Sequence, residues 1–260
     1  MEIKYSIQGL LIYAAMAGYL LALLLQLLRF RRTAYFVFTC GFILAVAAFA
    51  YRWFNAGHVP LQNLFELFIA MALTVYVLSL LSEKLLNVKQ RAIDMLIGIV
   101  VLFPAGFIFS EVPRQLPPAL QSVFFVPHVA VYVFGYIFMF KAAAAAVQTF
   151  TSKPQYMALH ENNTFRLVRT GFPLLVLGLI LGSFWAHYAW ADYFGWDPKE
   201  LWSLVTVLIY LGYFHWRFMF GQKHPRISSF WALAGFAAVI ITLLWANLSN
   251  LFIGLHSYAV

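Results

Sequence analysis

The sequence predicts an all-α bundle that crosses a membrane about eight times, with both termini on the outer face. Three observations carry that expectation. Of 260 residues, 63% are hydrophobic and only 10% charged, against roughly a quarter charged in soluble domains. The apolar residues gather in long unbroken runs, which select helices over an alternating barrel pattern. The basic residues collect on one side of those runs, and that asymmetry fixes orientation.

The runs lie near 7–28, 34–51, 62–81, 92–110, 127–149, 171–190, 201–219 and 230–248. Each approaches the roughly 20 apolar residues that a spanning helix needs. The first follows a start with one Lys and one Glu and no small-residue cleavage site, so it is expected to stay in the protein. The fifth carries Ala142 to Ala146, a small-residue face that lets helix backbones approach closely. Segments between runs are short, except the basic stretch around 151–170 and an aromatic stretch at 186–200. No repeat or soluble part stands out, and residues 1–260 read as one integral membrane domain.

The loops after the odd-numbered runs carry Arg29, Arg31, Arg32, Lys84, Lys89, Arg91, Lys141, Lys153, Arg166, Arg169, Arg217, Lys223 and Arg226. Only Lys4, Arg52, Arg114 and Lys199 remain for the other side. The positive-inside rule then puts both termini outside. The net charge of +8 reflects this bias and attraction to anionic lipid. It points to no nucleic acid, since no basic face interleaved with exposed aromatics stands apart from the bilayer. The single cysteine, Cys40, excludes thiol–disulfide chemistry by this chain alone.

The densest feature runs from Trp185 to Trp202. It holds Trp185, Trp190, Trp196 and Trp202 and ends in Trp196-Asp197-Pro198-Lys199-Glu200. The topology brings this segment to one surface with His128, at the outer start of the fifth run, and His256, after the eighth. Two imidazoles beside a cluster of large rings suit haem: nitrogen ligands for the iron and apolar area for the macrocycle. Interfacial aromatic belts give the plainer reading of the same rings. Asp197, Pro198 and Glu200 also spell a helix start, with an N-cap, a proline at the first position and a capping box.

Several motifs together carry a family resemblance. Trp196 to Trp202 resembles the WWD segment of haem-handling membrane proteins. Gly254-Leu255-His256-Ser257-Tyr258 resembles the second external histidine motif of the system II (Ccs/Res) cytochrome c biogenesis family. Leu120-Gln121-Ser122 followed by His128 resembles the first. Pro60-Leu61-Gln62-Asn63-Leu64-Phe65-Glu66 resembles another segment of that family. The match runs from about Tyr51 to Ala259 in order and spacing, and the first two runs carry no diagnostic residues. Ala191, Phe194 and Phe65 stand where the family usually has Gly, Trp and Tyr, which touches stacking details.

The resemblance implies a subunit of the CcsA/ResC type. Such a subunit takes haem b from the cytoplasmic side and presents it outside for attachment to the Cys-x-x-Cys-His of apocytochrome c. It implies His128 and His256 as axial ligands, with Trp185, Trp190, Trp196, Asp197 and Trp202 shaping the platform. It implies His215 as an intramembrane ligand, paired with a histidine from a CcsB/ResB-type partner subunit. Reduced thiols would require a thiol-reducing partner. The membrane would be a cytoplasmic one, or a thylakoid one in a plastid. From position alone, His215 is equally an interfacial residue. Arg52 suits a haem propionate, Glu66 or lipid phosphate. Glu66 is open to a functional role at membrane depth or a capping box with Asn63. A haem exporter without ligation activity and a b-type electron-transfer subunit are the rival classes. The latter pairs intramembrane histidines, of which this chain offers one.

Overall fold

The structure, a computed structural model, describes residues 3–220 and 223–245. Among them there is no strand, and eight α-helices follow in order. They are α1 (Ile7–Leu27), α2 (Arg31–Ala56), α3 (Leu64–Leu86), α4 (Arg91–Phe107), α5 (Phe125–Thr151), α6 (Pro154–Trp190), α7 (Pro198–Phe220) and α8 (Pro225–Ile240). A 3-10 turn (Pro118–Leu120) precedes α5, and a π-helical turn (Ile241–Trp245) continues α8. Six of the helices are long and apolar enough to cross a membrane. The chain is a polytopic helical membrane protein. α4, at 17 residues, and the more polar α7 fall outside those six.

The chain divides into two compact units, residues 1–121 and 122–260. The first is built around Tyr19. Its ring lies where a side chain on Gly41 of α2 or Gly98 of α4 would be, with virtual Cβ distances of 2.8 and 2.5 Å. Its hydroxyl donates to the Ala72 carbonyl of α3 at 3.1 Å. One residue thus touches three helices, and the glycines are what allow it. In lipid, such close packing replaces the hydrophobic force that would draw helices together in water.

In the second unit α5 and α6 pack along their lengths. Ala142, Ala143, Ala145 and Ala146 are buried, as a small-residue face requires. Gly171 admits Phe138 and Met139, and Gly135 admits Leu175. α8 closes on α7, where Gly235 makes room for the Tyr210 ring.

Two expectations change. The stretch around 151–170 is the first half of α6, not a loop. Pro154 starts the helix at its first position, where a proline ring is preorganised. The polar residues that suggested a loop hold this half in place. Glu161, fully buried, pairs with Arg217 of α7, whose guanidinium lies 4.7 Å from the centre of the Phe165 ring. At 37 residues, α6 is about 55 Å long, well beyond a hydrocarbon core of about 30 Å. Second, Lys141 belongs to no loop. It lies inside α5 and is fully buried.

Candidate functional site

His128 stands in the first turn of α5, and its ring lies against α6. Nδ1 is 2.8 Å from the Gly178 carbonyl oxygen. A carbonyl only accepts, so Nδ1 carries the hydrogen. In the neutral ring the lone pair then belongs to Nε2. Metal-bound histidines are oriented by the same kind of contact. The imidazole stacks on Trp185 (5.8 Å between centroids, 16° between planes) and meets Tyr132 edge-on at 5.1 Å. Gly182 faces the ring, and a Cβ there would come within 2.5 Å of His128 Cε1.

Trp185 is 2% exposed. It packs against Trp190 at 4.9 Å and Phe125 at 5.9 Å. The structure therefore brings His128, Trp185 and Trp190 together. α6 ends at Trp190, and Ala191 follows in the left-handed region (φ 59°). The chain runs irregularly to Trp196, which holds φ 55° and is 68% exposed. A bulky residue at positive φ is strained, and this one presents its ring outward, edge-on to Phe194 at 5.0 Å.

Asp197 begins α7 as the sequence predicts. Its Oδ1 accepts from the Lys199 N–H at 2.8 Å and the Glu200 N–H at 3.4 Å. The Glu200 carboxylate accepts in return from the Asp197 N–H at 3.4 Å. This reciprocal box satisfies orphan donors at the helix start. It fixes the angle at which the chain leaves the aromatic segment. Trp202 follows in the next turn, half-buried.

A second set of rings escaped the sequence reading. Phe124 stacks on Phe184 (5.8 Å) and contacts Tyr188 (5.6 Å). His187 and Tyr193 lie face to face, 4.1 Å apart and 2° from parallel. Tyr188 and Tyr193 are exposed. The i, i+4 spacing of Phe184 and Tyr188 was the available signal. Gly178 and Gly182 also escaped notice, although the same spacing marks them.

Three candidates remain: His256, His215 and Arg52. His256 lies outside the described residues. His215 is exposed in the last two turns of α7, so it faces away from the packed interior of its own unit. Arg52 is buried and paired with Glu66: its Nε donates to Oε1 at 2.9 Å and a second nitrogen lies 2.8 Å away. It also donates to the Glu111 carbonyl and lies over the Phe65 ring. Of its three readings, the structure supplies the partnership with Glu66. Glu66 caps α3 as well. Asn63 accepts from its N–H at 3.0 Å, and its own carboxylate accepts from the Gln62 N–H at 2.8 Å.

Among the described residues no three His, Cys, Asp or Glu side chains converge as a metal cage. The donor at the aromatic cluster is one imidazole backed by rings. That chemistry fits a planar metal complex that brings its own four nitrogens and needs axial ligands and apolar cover.

A polytopic helical membrane protein with a histidine packed against tryptophans is the class so defined. The family model described as "Cytochrome C assembly protein" matches residues 61–254, and the chain belongs to that family as a CcsA-type cytochrome c biogenesis protein. The match begins just after α2, the end of the part that carried no diagnostic residues. The chain is similar to "Cytochrome c biogenesis protein CcsA" of Chlamydomonas reinhardtii, 32% identical over 83% of this chain and 65% of the relative. It is also similar to the proteins so named in Prochlorococcus marinus (strain MIT 9303), 29% identical over 83% and 80%, and Porphyra purpurea, 29% identical over 80% and 81%.

Proposed function

We propose that this cytochrome c biogenesis protein carries haem b to the outer face of its membrane and holds it there for covalent attachment to apocytochrome c. In this reading all eight helices span, both termini face outward, and the membrane is a cytoplasmic or thylakoid one. A single observation carries the proposal. His128 is held by Gly178 in the tautomer that gives Nε2 to a metal, and it is held against Trp185 and Trp190.

Haem is the substrate. His128, with His256, would supply axial nitrogens. Trp196, Tyr188 and Tyr193, exposed at the end of α6 and in the segment after it, would cover the apolar macrocycle. The reaction adds a cysteine S–H across a vinyl double bond. Carbon–sulfur and carbon–hydrogen bonds form, the π-bond and the S–H bond break, and no net oxidation occurs. Acid–base machinery is not the main need. A platform that fixes the vinyl edge against two thiols supplies proximity, the large term for a bimolecular step. The thiols must be reduced, and Cys40 alone cannot reduce a disulfide, so a thiol-reducing partner is part of the proposal. So is a CcsB/ResB-type subunit, whose histidine would meet the exposed His215 of α7 and complete an intramembrane site on the way outward.

The test is attachment in vitro. Purified protein with its partner subunit is given ferrous haem and a reduced Cys-x-x-Cys-His peptide. Thioether product, lost in His128→Ala, supports the synthase role. Haem loading without product would assign the chain to haem export alone.

A further inference from the structure

We propose that Gly178 and Gly182, one turn apart on α6, are positioning residues for His128. They hold its imidazole in one orientation, so that iron ligation falls to Nε2. The inference rests on the haem-binding reading above and names the parts that set its geometry.

The ring is constrained from four directions. Gly182 lies along one side: a Cβ there would sit 2.5 Å from Cε1 and 2.8 Å from Nδ1. Real Cβ atoms do not approach so closely, so any side chain at 182 displaces the ring. Gly178 acts twice. Its carbonyl accepts from Nδ1 at 2.8 Å. Its missing side chain also gives the Tyr132 ring its place, with virtual Cβ distances of 3.0 Å to three ring atoms. Tyr132 in turn meets the imidazole edge-on, and Trp185 stacks on its face.

Residues 128 and 132 on α5 therefore face 182 and 178 on α6. Two i, i+4 pairs meet, rings on one helix and glycines on the other. Lower on the same interface, Gly135 admits Leu175 and Gly171 admits Phe138 and Met139, so parting α6 from α5 to admit a methyl at 182 gives up close packing along the pair. Moving the side chain costs less. The hydrogen bond to Gly178 fixes the tautomer and the orientation of the ring. A ring already oriented loses little freedom when iron binds.

The test compares wild type with Gly182→Ala, Gly171→Ala and His128→Ala. Gly171→Ala is the control: its Cβ meets Phe138 and Met139 in the same helix pair but lies far from His128. Two readouts are taken. The first is the 15N spectrum of labelled histidine in haem-free protein, with the His128 signal assigned from His128→Ala. The second is the absorption spectrum and haem retention of loaded protein. In wild type the His128 signal is that of the Nδ1–H tautomer. Gly182→Ala shifts it to a mixture, diminishes the low-spin spectrum and weakens haem retention about 10- to 100-fold. Gly171→Ala, whose Cβ strains the same helix pair about three turns from 182, changes both readouts far less than Gly182→Ala. If Gly182→Ala fails to accumulate, Gly178→Ala, whose Cβ crowds the Tyr132 ring that meets the imidazole, is read in the same way. A wild-type tautomer and spectrum in Gly182→Ala would overturn the assignment, as would equal effects of Gly182→Ala and Gly171→Ala. Full haem retention in His128→Ala would overturn the haem reading and this assignment with it. The tautomer signal separates the two failures, because it reports the slot without haem.

Discussion

Replacing Arg52 by methionine separates a structural ion pair from a haem contact. Arg52 and Glu66 are 3% and 0% exposed at the side chain, and two guanidinium nitrogens reach one carboxylate oxygen at 2.8–2.9 Å. Removing the guanidinium leaves a carboxylate buried without its counter-charge, which costs about 3–5 kcal/mol. For a chain of this size each kcal/mol moves the unfolding midpoint by roughly 2–4 °C, so Arg52→Met lowers it by roughly 6–20 °C. The double variant Arg52→Met/Glu66→Leu removes both charges. Replacing a buried pair by apolar groups is neutral or stabilising by about 1–4 kcal/mol. Against that, the Gln62 N–H loses its partner at about 1–3 kcal/mol, while the Glu111 carbonyl loses Arg52 in both variants. The double variant therefore melts above the single one. The assay is thermal unfolding in detergent, read by tryptophan fluorescence, with haem content measured on the same samples. The reasoning fails if Arg52→Met melts within about 2 °C of wild type, or if the double variant is no more stable than the single. A well-folded double variant that has lost haem would return Arg52 to a propionate role.

Asp197→Ala costs about 1 kcal/mol through the lost cap, whereas Asp197→Ser retains both stability and haem; unfolding and haem content of the two variants check this. Trp196→Gly relieves a positive-φ tryptophan, worth about 1–2 kcal/mol, against about 0.4–1 kcal/mol lost to the freer unfolded chain, so stability holds or rises by up to about 1.5 kcal/mol while haem binding weakens; a parallel melting and titration series shows whether the two effects separate. Trp185→Ala, which empties a site now 2% exposed, costs about 3–5 kcal/mol, and Trp185→Phe costs less; detergent melts rank them. His215→Ala leaves haem bound to the chain alone unchanged but lowers haem content when the partner subunit is co-expressed, measured by absorbance per mole of complex.

Local patterns proved legible in the sequence. The box formed by Asp197 and Glu200, the cap at Asn63 and the alanine face of α5 each depend on residues a few positions apart, and the structure shows them where the spacing put them. Each hydropathy run falls on one of the eight described α-helices, and six of those helices are long and apolar enough to cross a membrane. Polarity misled at 151–170, because a helix outside the apolar layer keeps its backbone bonds while its side chains turn polar. Lys141 misled in the opposite sense: charge suggested a loop, and packing buried it. Arg52 had three partners open to it, and only the approach of α2 to α3 selects Glu66. At the site, His128 and the tryptophans could be brought to one surface by counting helices. That Gly178 offers a carbonyl to Nδ1, and Gly182 a gap for the ring, depends on the register between α5 and α6. No single stretch of sequence carries that register.

The central claim is that His128 ligates haem against the tryptophan cluster. The most direct measurement is the reduced absorption and pyridine-haemochrome spectrum of protein purified with its partner subunit, wild type beside His128→Ala. Wild type is expected to show a low-spin haem b spectrum that is lost or converted to high spin in the variant. A colourless wild type, or an unaltered spectrum in His128→Ala, would contradict it.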